Sequence, residues 1–297
     1  MRRPPQPGPR VRGAAVRSRP AFAPLASDDA VGSRAEHDKA PCQARGPATR
    51  RAARSAPHPR PGQRVRLPGR APTVGGMRIA IAGGHGQIAR RLSRQLAERG
   101  DTPLAIVRNP EHVADVEADG ATAVLLDLES ADAAELAAQL SDADAVVFAA
   151  GAGPGSGAAR KDTVDRGAAA LLADAAQQAG VRRYLLVSSV GAGAEPPEGT
   201  DETFVVYLRA KTAAEEDLRA RDLDWTILRP GGLTDDAGTG HVRLGAEVPH
   251  GQVPRDDVAA VLVALLDEPR TAGLVLELSE GATPIAAAVA AATERED

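Results

Sequence analysis

The sequence predicts an α/β fold, a single doubly wound parallel sheet, and three features point to it. Short runs such as Ile-Ala-Ile-Ala (79–82), Leu-Ala-Ile-Val (104–107) and Ala-Val-Val-Phe (145–148) are apolar throughout, as strands covered on both faces are. Longer segments of helical period alternate with them, which is the order of a parallel sheet with crossover helices. The first apolar run also turns through glycines straight into a helix, in Met77-Arg-Ile-Ala-Ile-Ala-Gly-Gly-His-Gly-Gln-Ile-Ala-Arg-Arg-Leu92. No internal repeat on the scale of a solenoid unit is visible.

Taken in order, Arg78 to Ala82 reads as a buried strand, and Gly83, Gly84 and Gly86 as a tight turn. The following helix carries Leu92, Leu96 and Ala97 on one face and closes at Gly100, a residue suited to a left-handed C-cap. Pro103 to Arg108 is the second strand, and a short helical turn opens at Pro110 and closes at Gly120. Ala121 to Leu128 is the third strand, and Ser130 is placed to cap a helix over 131–140. The fourth strand covers 143–150, a long helix 162–180, and the fifth strand 183–190. A helix around 207–221 leads to a sixth strand at 225–228, which runs into Arg229-Pro230. A helix over 255–268, a last strand over 273–278 and a terminal helix over 284–292 complete the chain. Asp256 and Asp257 open the first of these three, where an acid caps the helix and suits its dipole. Segments after about Gly231 are expected to form a small substrate-side lobe.

Charge divides the chain. Residues 1–76 carry 16 Lys+Arg against 4 Asp+Glu and 13 of the 23 prolines, whereas the other 221 residues carry 20 against 36. Without an apolar period, residues 1–76 cannot bury enough surface to offset their ordering entropy, and a disordered extension is expected, drawn out near Pro57, Pro59 and Pro61. Its arginines suit an acidic surface or nucleic acid, its composition resembles a transit peptide, and Met77 stands where a translation start would precede the first strand. The last reading is preferred, with the domain spanning 77–297. The single cysteine, Cys42, lies in the extension, so residues 77–297 hold neither a disulfide nor a thiolate metal site. That suits a reducing cytoplasm. No apolar stretch reaches the length of a membrane span. A small-molecule substrate is expected as partner, with no membrane and no specific nucleic acid.

A strand that turns through glycine into a helix offers unpaired amides and a positive dipole end to a phosphate. Gly83, Gly84, His85, Gly86, Gln87 and Ile88 are therefore expected to hold a dinucleotide's diphosphate. The second strand ends in Val107-Arg108-Asn109 with no acid. An acid there would accept from the ribose hydroxyls of NAD, while a guanidinium pairs with the 2′-phosphate of NADP. Arg108 thus predicts NADP(H) over NAD(H). Asp127, closing the third strand, is placed to accept from the adenine amino group, and the small Ala149, Ala150 and Gly151 leave room for the cofactor to cross. His112, His241 and His250 are too widely spaced to suggest a metal site.

The fifth strand ends in Ser188-Ser189, and Tyr207-Leu-Arg-Ala-Lys211 follows. Tyr and Lys at i and i+4 share a helix face, where the ammonium favours the phenolate and can hold a ribose. Tyr207 is then a general acid for a carbonyl receiving hydride, and Ser189 orients that carbonyl.

Together, Gly83 to Ala89, Val-Arg-Asn-Pro110, Ser188-Ser189, Tyr207 to Lys211 and Trp225-Thr-Ile-Leu-Arg-Pro-Gly231 resemble the atypical short-chain dehydrogenases/reductases, which are NAD(P)-binding Rossmann proteins. The likeness is to the NAD-dependent epimerase/dehydratase-like group, itself akin to NmrA-like sensors and biliverdin/flavin reductases. The resemblance implies that Ser189, Tyr207 and Lys211 are the catalytic set, that Pro230 and Gly231 line the nicotinamide, and that Lys161 and Asp165 lie near the cofactor. Two features depart from the pattern. Ala89 replaces the third fingerprint glycine, and a loop over 191–203 with Pro196-Pro197 lengthens the serine–tyrosine gap. Three functions compete: an NADP(H)-dependent reductase of small carbonyl compounds, a non-catalytic NADP(H) sensor, and a sugar epimerase-like enzyme.

Overall fold

The computed structural model describes residues 76–151, 153 and 160–294. The expectations for the N-terminal extension, Cys42 included, lie outside them apart from Gly76.

Strand β1 (Arg78–Ala82) alternates its side chains between two layers, as the pleat requires. Ile79 and Ile81 face Leu92 and Leu96 of α1 (Gln87–Arg99), together with Val258, Leu262 and Leu265 of helix α6 (Arg255–Asp267) and Val289 of α7 (Ile285–Ala291). Ala80 and Ala82 face Leu136 of α3 (Ala133–Gln139), Leu172 and Ala176 of α4 (Ala168–Ala179), and Ala214 and Leu218 of α5 (Glu202–Arg219). Each large side chain buried in these layers contributes roughly 1.5–3 kcal/mol. With few aromatics available, the second layer fits helix to sheet through small residues: Ala168, Ala169, Ala173, Ala175 and Ala176 are all buried.

The main sheet also contains β2 (Thr102–Val107), β3 (Thr122–Leu125), β4 (Ala145–Phe148), β5 (Arg183–Val187), β6 (Asp224–Pro230), β8 (His241–Gly245), β10 (Leu274–Glu280) and β11 (Thr283–Pro284). Its order is β11-β8-β10-β6-β5-β4-β1-β2-β3. From β3 across to β10 all pairings are parallel; β8 and β11 then add antiparallel. The order reverses between β1 and β4, so the crevice beyond their C-terminal ends is where such sheets bind ligands.

Several expectations need correction. The third strand stops at Leu125 rather than Leu128, because Asp127 turns the chain: its carbonyl accepts from Ser130 and Ala131 and its carboxylate from the Glu129 amide. Ser130 therefore caps nothing, and Asp132 caps α3 through the Glu135 amide at 2.8 Å. The long helix is not uniform: Lys161–Gly167 winds as a π-helix before α4 begins. Asp257 does not cap α6. Its buried carboxylate accepts from the Thr239 and Gly240 amides at 2.9 and 2.8 Å, tying down a loop. The segments after Gly231 add strands β8, β10 and β11 to the main sheet, and β7 (Gly232–Thr234) pairs with β9 (Gln252–Pro254) in a separate ribbon.

Candidate functional site

The glycine turn joins β1 to α1 at the reversal point. Gly83 has φ 78°, and a Cβ there would stand 2.6 Å from the Ala150 Cα. A Cβ on Gly84 would meet that of Ala105 at 2.7 Å, while the Gly84 amide donates to the Ile106 carbonyl at 2.9 Å. Only bare backbone lets β1 turn so closely between the ends of β2 and β4. Gly86 is the N-cap of α1, and the first helical bond runs from the Arg90 amide to the Gly86 carbonyl. The amides of Gln87, Ile88 and Ala89 precede that bond and open the helix.

Two cavities adjoin this turn and share Ala149, Ala150 and Gly151. The first, about 300 Å³, lies over the ends of β1, β2 and β3. Gly83, Gly84, His85, Gly86, Arg108 and Asp127 line it. It also has walls the sequence reading did not assign to the site, namely His112, Glu129 and Arg160. Glu129 accepts from Arg108 at 2.8 Å and from Arg160 at 3.2 Å. The strand end that lacks an acid in sequence thus faces one brought by the next loop. Gln87 lines neither cavity; its side-chain carbonyl accepts from Arg91 at 2.7 Å.

The second cavity, about 490 Å³, lies over β4, β5 and β6 and is lined by Ile88, Ser189, Tyr207, Lys211, Pro230 and Gly231. Asp201 accepts from the Phe204 amide at 3.1 Å and so starts α5 in a position that presents Tyr207 to this space. Lys211, one turn on, is buried; its ammonium sits 3.1 Å from Asp165, 3.2 Å from the Val187 carbonyl and 5.8 Å from the Tyr207 ring centroid. The π-helix delivers Asp165 together with Lys161, whose ammonium lies 5.3 Å from the same ring. π-Helical turns commonly mark functional sites. Ser189 is half-buried in the cavity wall. Ser188 also lines this cavity, and its buried hydroxyl donates to Glu215 at 2.6 Å. Glu215 is itself buried and takes both ends of the Arg229 guanidinium, at 2.9 and 2.6 Å. This network fixes the Arg-Pro-Gly segment from below. The sequence held a clue in the adjacent Arg229-Pro230, but nothing local in it points to Glu215.

The residues fit a dinucleotide. A glycine turn with helix-opening amides stands between two cavities that meet over small residues, and each cavity carries cations at its far end. Among the described residues no group of three or more His, Cys, Asp or Glu is arranged to hold a metal, and no helix is long and apolar enough to cross a membrane.

Comparison with known proteins agrees with this geometry. A Bacillus subtilis (strain 168) protein named as an uncharacterised sugar epimerase, YhfK, is 39% identical over 214 residues, covering 72% of this chain and 99% of its own. A Bacillus halodurans structure, named as a candidate NAD-dependent epimerase/dehydratase, is 35% identical with a TM-score of 0.68, covering 73% of this chain and all of that one. The anaerobilin reductase ChuY of Escherichia coli O157:H7 is 27% identical with a TM-score of 0.60, covering 68% and 97%. The NAD(P)H-binding family matches residues 83–269, and the chain belongs to that family of Rossmann-fold proteins.

Proposed function

We propose that the protein is an NADP(H)-dependent oxidoreductase that reduces a small carbonyl compound. The observation that carries this reading is Tyr207 standing in the wall of the second cavity with two ammonium groups, those of Lys161 and Lys211, at 5.3 and 5.8 Å from its ring centroid. The bound nicotinamide would supply hydride to the carbonyl carbon. Tyr207 then donates its hydroxyl proton to the carbonyl oxygen, with Ser189 as a second donor to that oxygen. The two ammonium groups stabilise the negative charge left on the phenolic oxygen. Asp165 offsets one of the two charges and holds Lys211 in place. Pro230 and Gly231 provide an apolar floor for the nicotinamide, and Phe204 and Leu233, both exposed and apolar, stand at the cavity mouth for the body of the substrate. Arg108 supports NADP(H) as the preferred nucleotide, and the cytoplasm is its expected compartment.

The test is NADPH oxidation against a panel of small aldehydes and ketones. Tyr207→Phe should lower kcat by about 100-fold or more, as loss of a general acid does, and leave NADPH affinity within about twofold. Unchanged turnover would remove Tyr207 from the mechanism. Nucleotide binding without turnover of any carbonyl would favour the sensor instead. The names of two relatives support a sugar epimerase-like enzyme as the second reading; its signature is oxidised cofactor retained through purification.

A further inference from the structure

The dinucleotide reading leaves a histidine pair unexplained. His85, in the glycine turn, and His112, ahead of α2 (Val113–Ala118), stack with ring centroids 3.6 Å apart and planes 8° from parallel. Both line the first cavity, beside Arg108. The His85 Nε2 is 2.7 Å from the Asp115 carboxylate, and that contact, more than nearby Arg90, holds the Asp115 carboxyl below its usual range. Arg90 reaches Asp119 at 2.5 Å and Asp115 at 3.6 Å, and Arg94 reaches Asp119 at 3.5 Å. Glu111 bonds Asn109 beside them. Arg108 and Arg160 share Glu129, and Asp127 lines the same cavity, so these four side chains leave no net charge there.

A ribose 2′-phosphate brings close to two negative charges, and a 2′-hydroxyl brings none. Four side chains without net charge do not match the dianion. The matching charge must come from the histidines, because an imidazole changes charge between pH 5 and 8. Two parallel imidazolium rings in contact repel each other, and Asp115 compensates only one. A dianion in front of both rings removes that penalty.

We propose that His85 and His112 determine nucleotide specificity, the stacked pair taking up a proton as the 2′-phosphate of NADP enters and none as NAD enters. This rests on the dinucleotide reading above. The pair does not touch the reacting atoms; it acts on affinity and makes NADP preference depend on pH.

Calorimetric titration of the full chain with NADP⁺ and NAD⁺ at pH 6, 7 and 8, in two buffers of different ionisation enthalpy, tests it. The ratio of NADP⁺ to NAD⁺ affinity should fall about tenfold from pH 6 to pH 8, with more protons taken up for NADP⁺ than for NAD⁺. In His85→Asn/His112→Gln the fall should disappear and the trend reverse, since the second ionisation of the phosphate, near pH 6, works in the opposite direction. His112→Gln alone should lose about half the effect; His112 makes no side-chain capping bond to α2, so this variant keeps the fold. Arg108→Ala, in contrast, should weaken NADP⁺ by a similar factor at every pH. Equal proton uptake for both nucleotides, or wild-type pH profiles in the histidine variants, would overturn the proposal. Binding of neither nucleotide to the wild type would overturn the dinucleotide reading, and the proposal with it.

Discussion

In each half of the cleft two cations stand beside a carboxylate, in opposite surroundings. In the first cavity Arg108 and Arg160, 49% and 40% exposed, share Glu129. In the second cavity Lys161 and Lys211, 7% and 4% exposed, stand with Asp165, which is fully buried. The exposed set works in water: its pairs are screened and contribute little to stability, so its charges remain free to exchange partners for a phosphate. The buried set has lost its water. Its attraction and its desolvation are both large, and removing one member leaves a charge with nothing to replace the lost partner. The same grouping of two cations and a carboxylate therefore gives a readable surface in one half and a fixed, polarising environment in the other.

The comparison breaks most visibly at Asp165. Asp165→Ala should destabilise the protein by about 3–5 kcal/mol in urea unfolding, because the Lys211 ammonium stays buried 3.1 Å from where the carboxylate was. A loss below about 1 kcal/mol would mean that the second cavity is wetter than its burial indicates. Gly83→Ala should follow at about 2 kcal/mol, since its positive φ and the nearby Ala150 backbone both oppose a Cβ, and it should weaken nucleotide binding as well. Glu129→Gln is the mirror of Asp165→Ala. Stability should change by less than about 1 kcal/mol, while NADP⁺ affinity rises several-fold as Arg108 and Arg160 are released. Salt should erode that gain, NADP⁺ affinity falling more steeply than that of NAD⁺ as ionic strength rises. The smallest effect belongs to Asp115, which is exposed. Its carboxyl is held below the ordinary value of 3.8, first by His85 and then by Arg90. A depressed folded-state value means stabilisation that is present above pH 3.8 and lost as the pH falls through the lower folded value. Asp115→Asn should therefore shift the urea midpoint slightly at pH 7, and the two curves should merge under strong acid.

The two halves also differed in how far the sequence revealed them. The turn from β1 into α1 and the Tyr207–Lys211 pair are readable because all their parts fall within one or two helical turns of chain. Lys161 and Asp165 entered only through family resemblance, since a π-helix leaves no periodic signature in so short a stretch. Glu129, Arg160 and His112 come to the first cavity from three separate segments, and Glu215 reaches Arg229 from another element. Contacts made by the sheet order cannot be seen in local spacing. Strands β8 and β11 escaped notice for a related reason. His-Val-Arg-Leu-Gly (241–245) and Thr-Pro (283–284) are short and partly charged, and only their position beside β10 makes them strands.

That position has a consequence for synthesis on the ribosome. Strand β8 precedes both of its neighbours, β10 and β11, in the chain, so its hydrogen-bonding edges stay open until Leu274 and beyond emerge. Arg243, exposed at the middle of the strand, is the kind of charged residue that discourages another nascent chain from docking there in the interval.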